Sequence, residues 1–311
     1  MVCSMMIVFL PRGLLTLAIV AITNMGLSAD FFHSLLIHAS PTIRLTALDV
    51  LTFHTHQRIP LSLQCFSLIE SVLPQFFAEQ DAEYRIEVLR SIRTLVLRLR
   101  ASTHAALKEL ERQTSKLGNA APELSTILET SSKFVDWFVA FCRFCLTPGR
   151  SYYTTSMGLK TLHIMIEEGF FTDVNVDVKS GILSGIHLEL FSKGTLLLLL
   201  DRLADPYDEV ARLAFWILER VKEPALIPWS SLYNSGRKLC LSRRADKAEG
   251  GAKALHLCYI FGRVNGYTQI WEEIWESIIE DVKCGDLRRV NIQKPLHGRL
   301  ILLRYFSFRA C

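Results

Sequence analysis

One spacing recurs four times along this chain and leaves few folds open to it. In the stretch Leu203 to Leu218, LADPYDEVARLAFWIL, the apolar residues Val210, Leu213, Ala214, Ile217 and Leu218 fall at i, i+3, i+4, i+7 and i+8. That period gives a helix with one buried stripe. Asp205-Pro206 suits a helix start, and Asp208 and Glu209 complement the positive end of the helix dipole. Offsets of three and seven residues set out the same pattern in Arg44, Ala47 and Leu51, in Arg85, Val88 and Ile92 after Tyr84, in Thr155, Gly158 and Leu162 after Tyr153, and in Ala211, Ala214 and Leu218. An aromatic or β-branched residue, an arginine, a small residue and a large one make the inner helix of a HEAT-type repeat. Steps of roughly 40 residues suit helix-pair arrays, and the longer spacings require inserts. The expected class is all-α, an α-solenoid of HEAT/armadillo-type helical repeats, with a non-repetitive helical bundle as the alternative.

The 311 residues are half hydrophobic, with a mean hydropathy of +0.25. A repeat array accommodates that excess because each unit buries its face on the next, and it needs polar caps at its ends. Here the ends read MVCSMMIVFL and LILLRYFSFRAC, both apolar. The chain is therefore expected to be a piece, or a shortened product, of a larger protein. The expected organisation is one continuous solenoid with N-terminal repeats over 1–117, central repeats over 118–234 and a truncated C-terminal region over 235–311.

Ser40-Pro41 marks a helix start, and Pro60 opens a helix expected to end near Leu73-Pro74. A long amphipathic helix is expected over 82–114, with a basic outer face carrying Arg85, Arg90, Arg93, Arg98, Arg100, Lys108 and Arg112. GNAAPE at 118–123 reads as a linker. The aromatic run from Phe134 to Cys145 reads as a helix buried on most sides. Residues 173–181 read as a polar loop. Helices are expected over 182–203, 206–222 and 224–234, then around 255–261, 267–282 and 296–306. Between them, Ser235 to Lys253 reads as a basic, glycine-containing segment.

Catalytic chemistry finds little support. Cys142-x-x-Cys145 has no second pair and no histidines at metal spacing, and sits mid-helix among aromatics, so it reads as core. No His-Glu-x-x-His, Walker loop or Gly-x-Ser-x-Gly elbow occurs. Eight cysteines without framework spacing suit reduced thiols in a cytosolic or nuclear protein. A signal-peptide reading of residues 12–29 is opposed by Pro11, Arg12 and the bulky Leu27. The apolar run is also too short for a membrane span, which needs about 20 residues. Two basic clusters remain, over 237–253 and 283–309, in a chain of net charge +4. Each reads as a solvated face or as a phosphate-binding surface.

Certain residues carry a family resemblance. Leu146-Thr147-Pro148-Gly149-Arg150-Ser151-Tyr152 followed by Gly158-Leu159-Lys160-Thr161-Leu162, then Asp205-Pro206-Tyr207-Asp208-Glu209-Val210, Ser242-Arg243-Arg244-Ala245-Asp246 with Gly250-Gly251-Ala252, and Pro295-Leu296-His297-Gly298-Arg299-Leu300 occur in an order that resembles the THADA family, the thyroid adenoma-associated protein and its fungal counterparts. Thr154-Thr155 stands where Arg-Arg is expected, and the family's Arg-Arg-Ser-Ala-Gly-Leu-Pro stretch is missing. For the fungal members the resemblance implies a non-catalytic, cytoplasmic scaffold that binds tRNA and partners an FtsJ-like methyltransferase for 2′-O-ribose methylation in the anticodon loop. S-adenosylmethionine would sit on the partner, with no cofactor on this chain and no membrane contact. The expected phosphate contacts are Arg237, Lys238, Arg243, Arg244 and Arg299. A protein-only interaction scaffold is the second reading.

Overall fold

The computed structural model describes residues 29–54, 56–117, 122–168, 192–220, 229–240 and 242–264, with Glu272 and Glu276. Every regular element among the described residues is a helix. They are α1 (Ala29–Leu36), α2 (Pro41–Thr52), α3 (Leu63–Ala78), α4 (Ala82–Leu117), α5 (Pro122–Cys145), α6 (Tyr152–Glu167), α7 (Lys193–Arg202), α8 (Asp208–Leu218), α9 (Trp229–Cys240) and α10 (Ala245–Val264). The chain divides into two compact units, one of residues 1–145 with 149–187 and one of residues 146–148 with 188–311.

In the first unit the helices pair as α1–α2, α3–α4 and α5–α6. Helices α2, α4 and α6 form one row and α1, α3 and α5 the other. The recurring positions predict this row: Ala47, Leu51, Val88, Ile92, Thr155, Gly158 and Leu162 are all buried. At Gly158 the need for a small residue is steric, since a Cβ there would lie 2.7 Å from Cys145 Cβ and 3.3 Å from the Cys142 carbonyl oxygen. Phe66 of α3 and Phe134 of α5 stack at 4.5 Å, and Phe134 also meets Trp137 and Phe138, so ring contacts join neighbouring helices within the second row.

The first position of the repeat has a role that the apolar pattern does not reveal. Arg44 donates to the carbonyls of His38 and Ala39 at 3.0 and 3.1 Å, beyond the end of α1. Arg85 donates to the carbonyls of Glu79 (3.2 Å) and Gln80, beyond the end of α3. Each guanidinium also lies over the aromatic ring that opens the next helix of the row, Tyr84 at 5.1 Å and Tyr153 at 4.6 Å. In the third pair, Thr155 replaces arginine and its hydroxyl donates to the Cys145 carbonyl at 3.1 Å, on the last residue of α5. All three donors satisfy carbonyls that a helix end leaves without an intrahelical partner. Thr155→Val should therefore cost about 1–2 kcal/mol in urea unfolding and Thr155→Ser little. An unchanged midpoint for the valine variant would remove the hydrogen bond from this account.

Three expectations need correction. Helix α3 runs through Pro74 to Ala78 instead of ending there. Pro74 is exposed, while Val72, Leu73, Phe76 and Phe77 on either side are buried. The helix therefore loses its hydrogen bond to the Glu70 carbonyl on the solvent side. Helix α8 begins at Asp208, because Asp205 accepts the Tyr207 N–H at 3.1 Å and caps the turn before it. Residues 235–253, expected to separate two helices, are instead the last turns of α9, a short turn and the first half of α10.

The second unit is built on that α9–α10 pair. The glycines behind the loop-like reading lie at helix contacts. A Cβ on Gly251 would fall 2.3 Å from the Cys240 nitrogen and 2.7 Å from the Gly236 carbonyl oxygen, and one on Gly250 would fall 2.6 Å from the Leu203 carbonyl oxygen. Helix α10 also packs on α8, where Val210, Ala211, Ala214, Ile217 and Leu218 are buried and Leu213 half-buried. His256 of α10 stacks on Phe215 of α8 with ring centroids 5.7 Å apart. The described residues contain no helix long and apolar enough to cross a membrane. Helix stretches expected before residue 29 and after 264, and the polar loop at 173–181, lie outside the described residues, Glu272 and Glu276 excepted.

Candidate nucleic-acid interface

Most of the basic face of α4 is engaged within the protein. Arg98, only 7% exposed, donates to the carbonyls of Ile59 at 3.1 Å and Leu51 at 3.2 Å, with those of Thr52 and Pro60 at 3.5 Å. Its burial lowers its pKa from the ordinary guanidinium value. Arg100 donates to the Glu168 carbonyl at 2.6 Å, and Arg93 pairs with Glu167 at 2.7 Å and Glu168 at 2.9 Å. Thus Arg98 binds the carbonyl end of α2 and Arg100 that of α6, where the helix dipole favours a cation. Arg90 and Arg112 pair with Glu87 and Glu109 one turn away. This helix face is mainly a set of internal fasteners.

The turn between α9 and α10 is different. Arg237 and Lys238 lie in the last turn of α9, and Arg243 and Arg244 lie in the turn before α10. All four side chains are exposed. The fold therefore gathers four of the five expected phosphate contacts at one end of a helix hairpin, and Arg299 lies outside the described residues. The Arg237 guanidinium sits 5.7 Å from the Tyr233 ring centroid, one turn back. Asp246 holds Arg244 in a two-pronged ion pair at 2.6 and 3.2 Å. The same pair raises the pKa of Arg244 and lowers that of Asp246. Arg244 is thus partly neutralised, while the cations of the last α9 turn also complement the negative end of that helix. Lys253, counted with this cluster in the sequence, is buried and pairs with Glu249 at 2.8 Å and Asp208 at 3.7 Å, which fastens α10 to the start of α8.

The cysteine pair behaves as core. Cys142 and Cys145 are fully buried in α5, and desolvation pushes the Cys142 thiol well up and the Cys145 thiol up to about 12. Neither offers a thiolate near neutral pH. Among the described residues no group of three or more His, Cys, Asp or Glu side chains is placed to hold a metal ion.

One acidic cavity, of about 610 Å³, opens at the start of α4. Glu79, Asp81, Glu83 and Glu87 line it around Tyr84 and the exposed Ile86. Asp81 accepts the Tyr84 N–H and Glu79 pairs with Arg44, so part of this charge serves the helix start.

The amino-acid sequence is 29% identical over 291 residues to the tRNA (32-2′-O)-methyltransferase regulator trm732 of Schizosaccharomyces pombe, covering 88% of this chain and 19% of that protein. The chain thus spans about a fifth of the length of the curated relative it matches. Residues 5–212 match the model of the family described as Trm732, TPR repeats. That match takes in α1 to α6 with their capping ladder, together with α7 and the start of α8, and stops short of the basic α9–α10 hairpin. From this match, which covers well over half of its length, the chain belongs to the Trm732 family of TPR-repeat proteins.

Proposed function

We propose that the chain serves as part of a non-catalytic scaffold subunit that partners an FtsJ-like tRNA ribose methyltransferase in the cytoplasm. It would help hold tRNA for 2′-O-methylation in the anticodon loop. The observation that carries this reading is the similarity, along most of the chain, to a fission-yeast regulator of a tRNA methyltransferase. The exposed group Arg237, Lys238, Arg243 and Arg244 supports it as the phosphate-contacting surface, with Arg299 assigned to the same role. S-adenosylmethionine belongs on the partner. The scaffold contributes orientation and effective concentration, and no acid, base or nucleophile of its own.

Filter binding of tRNA over a salt series tests the RNA part. Affinity should fall steeply with salt, and Arg243→Glu should flatten the log–log slope by about one. Arg244→Glu should flatten it less, because Asp246 already offsets that charge. The purified chain should show no methyl transfer alone and should stimulate transfer when the methyltransferase is present. Absence of tRNA binding at low salt would reject the RNA role. The protein-only reading gains from the acidic cavity at the start of α4, whose chemistry suits a lysine- or arginine-bearing protein segment.

A further inference from the structure

The ends of α5 and α6 that meet at their connecting turn carry exposed groups of another kind. Phe144 is 49% exposed, and the Arg150 guanidinium lies over its ring at 3.6 Å from the centroid. Arg150 is itself exposed. At the first turn of α6, the rings of Tyr152 and Tyr153 meet edge to face at 5.6 Å, both half-buried. Between Asp136 and Glu167 the sequence holds Arg143, Arg150 and Lys160 and no carboxylate. The last turns of α5 and nearly all of α6 therefore bring cations and aromatic rings without acid.

Aromatic rings and guanidinium planes receive the face of any nucleobase, and arginine adds attraction to the neighbouring phosphates. RNA offers such faces where it is single-stranded, in loops whose bases can leave the stack. A duplex offers only its backbone and groove edges. We propose that Phe144 and Arg150 form a stacking platform for unpaired bases of a single-stranded RNA loop. This inference rests on the tRNA-scaffold reading and gives it a second contact, chosen for unpaired bases and not only for charge. A role confined to fixing the turn would account for the Arg150–Phe144 stack, but not for the exposure that Phe144 keeps beside it.

Fluorescence anisotropy on the full chain tests the platform, with a labelled anticodon stem-loop and an RNA duplex of equal length as probes. Phe144→Ala should weaken stem-loop binding about tenfold and leave duplex binding unchanged. Arg150→Lys keeps the charge but loses the plane, so stem-loop affinity should fall several-fold while the salt slope stays the same. The circular dichroism melts of both variants should match that of the parent. Parent-like stem-loop affinity in both variants would overturn the platform. The tRNA reading would survive that result provided the parent still shows its salt dependence and Arg243→Glu still flattens it. Equal losses on stem-loop and duplex would also overturn the platform, as would a loss confined to methyltransferase binding, which would make the patch a protein contact. If the parent chain binds neither RNA at low salt, the platform and the scaffold reading fall together.

Discussion

Replacing Gly251 with alanine is expected to destabilise the second unit by about 3 kcal/mol or more, the upper range for a substitution that overfills a packed contact. The opposing effect is the better helix propensity of alanine, about 1 kcal/mol. Sterics win because the new Cβ would stand 2.3 Å from the Cys240 nitrogen, 2.7 Å from the Gly236 carbonyl oxygen and 2.8 Å from the Leu239 carbonyl carbon. All three are backbone atoms and cannot rotate away, so α9 and α10 must separate. Gly236→Ala is the internal control. The three atoms nearest its Cβ are side-chain atoms, two of Leu255 at 3.1 Å and one of Ala254 at 3.3 Å, so its cost should be less than half as large. Thermal and urea unfolding of the three proteins followed by circular dichroism gives the comparison. Equal stability of the two alanine variants would show that the α9–α10 contact is looser than described.

Arg98→Met should cost about 3–5 kcal/mol, since each buried carbonyl stripped of its donor costs about 1–3 kcal/mol. Methionine fills much of the same volume, so the loss isolates the guanidinium's hydrogen bonds from its packing. The acceptors lie at the end of α2, at Leu51 and Thr52, and before α3, at Ile59 and Pro60. Arg98→Lys should recover less than half of the loss, because one ammonium cannot reach carbonyls spread over that arc. Urea midpoints within 1 kcal/mol of the parent for the methionine variant would contradict this assignment.

The apolar spacing made the helices and their buried positions readable, because burial of one stripe follows directly from period and needs no knowledge of partners. Ala47, Val88, Gly158 and Ala214 were all expected inside, and all are. Arginine was harder to read. On α4 a row of arginines reads as a basic outer face, yet Arg98 and Arg100 are directed to helix ends that are distant in sequence, and only the packed rows bring those carbonyls within reach. Glycine misled for the opposite reason. Gly236, Gly250 and Gly251 look like chain breakers from local propensity, but here close helix contact overrides the local cost. The clue was the company they keep, since Ala248, Ala252 and Ala254 continue a small-residue surface along α10. At the candidate interface, the sequence singled out the four cations of the α9–α10 turn. It could not show that Lys253 is inside or that Asp246 restrains Arg244, because both depend on geometry between residues. Phe144 was legible only as part of an aromatic core helix, since exposure of one ring of that run cannot be deduced from its neighbours.

The donors at the head of α2, α4 and α6 bear on how such repeats diverge. Where the open carbonyl projects past the helix, as at His38–Ala39 and Glu79–Gln80, a long arm bridges the gap; where it belongs to the final helical residue, Cys145, a short hydroxyl suffices. Side-chain length at that site is therefore tied to the contour of the preceding junction. A search for arginine alone will undercount the units of such an array, whereas a search that also admits a hydroxyl at that site adds the unit headed by Thr155.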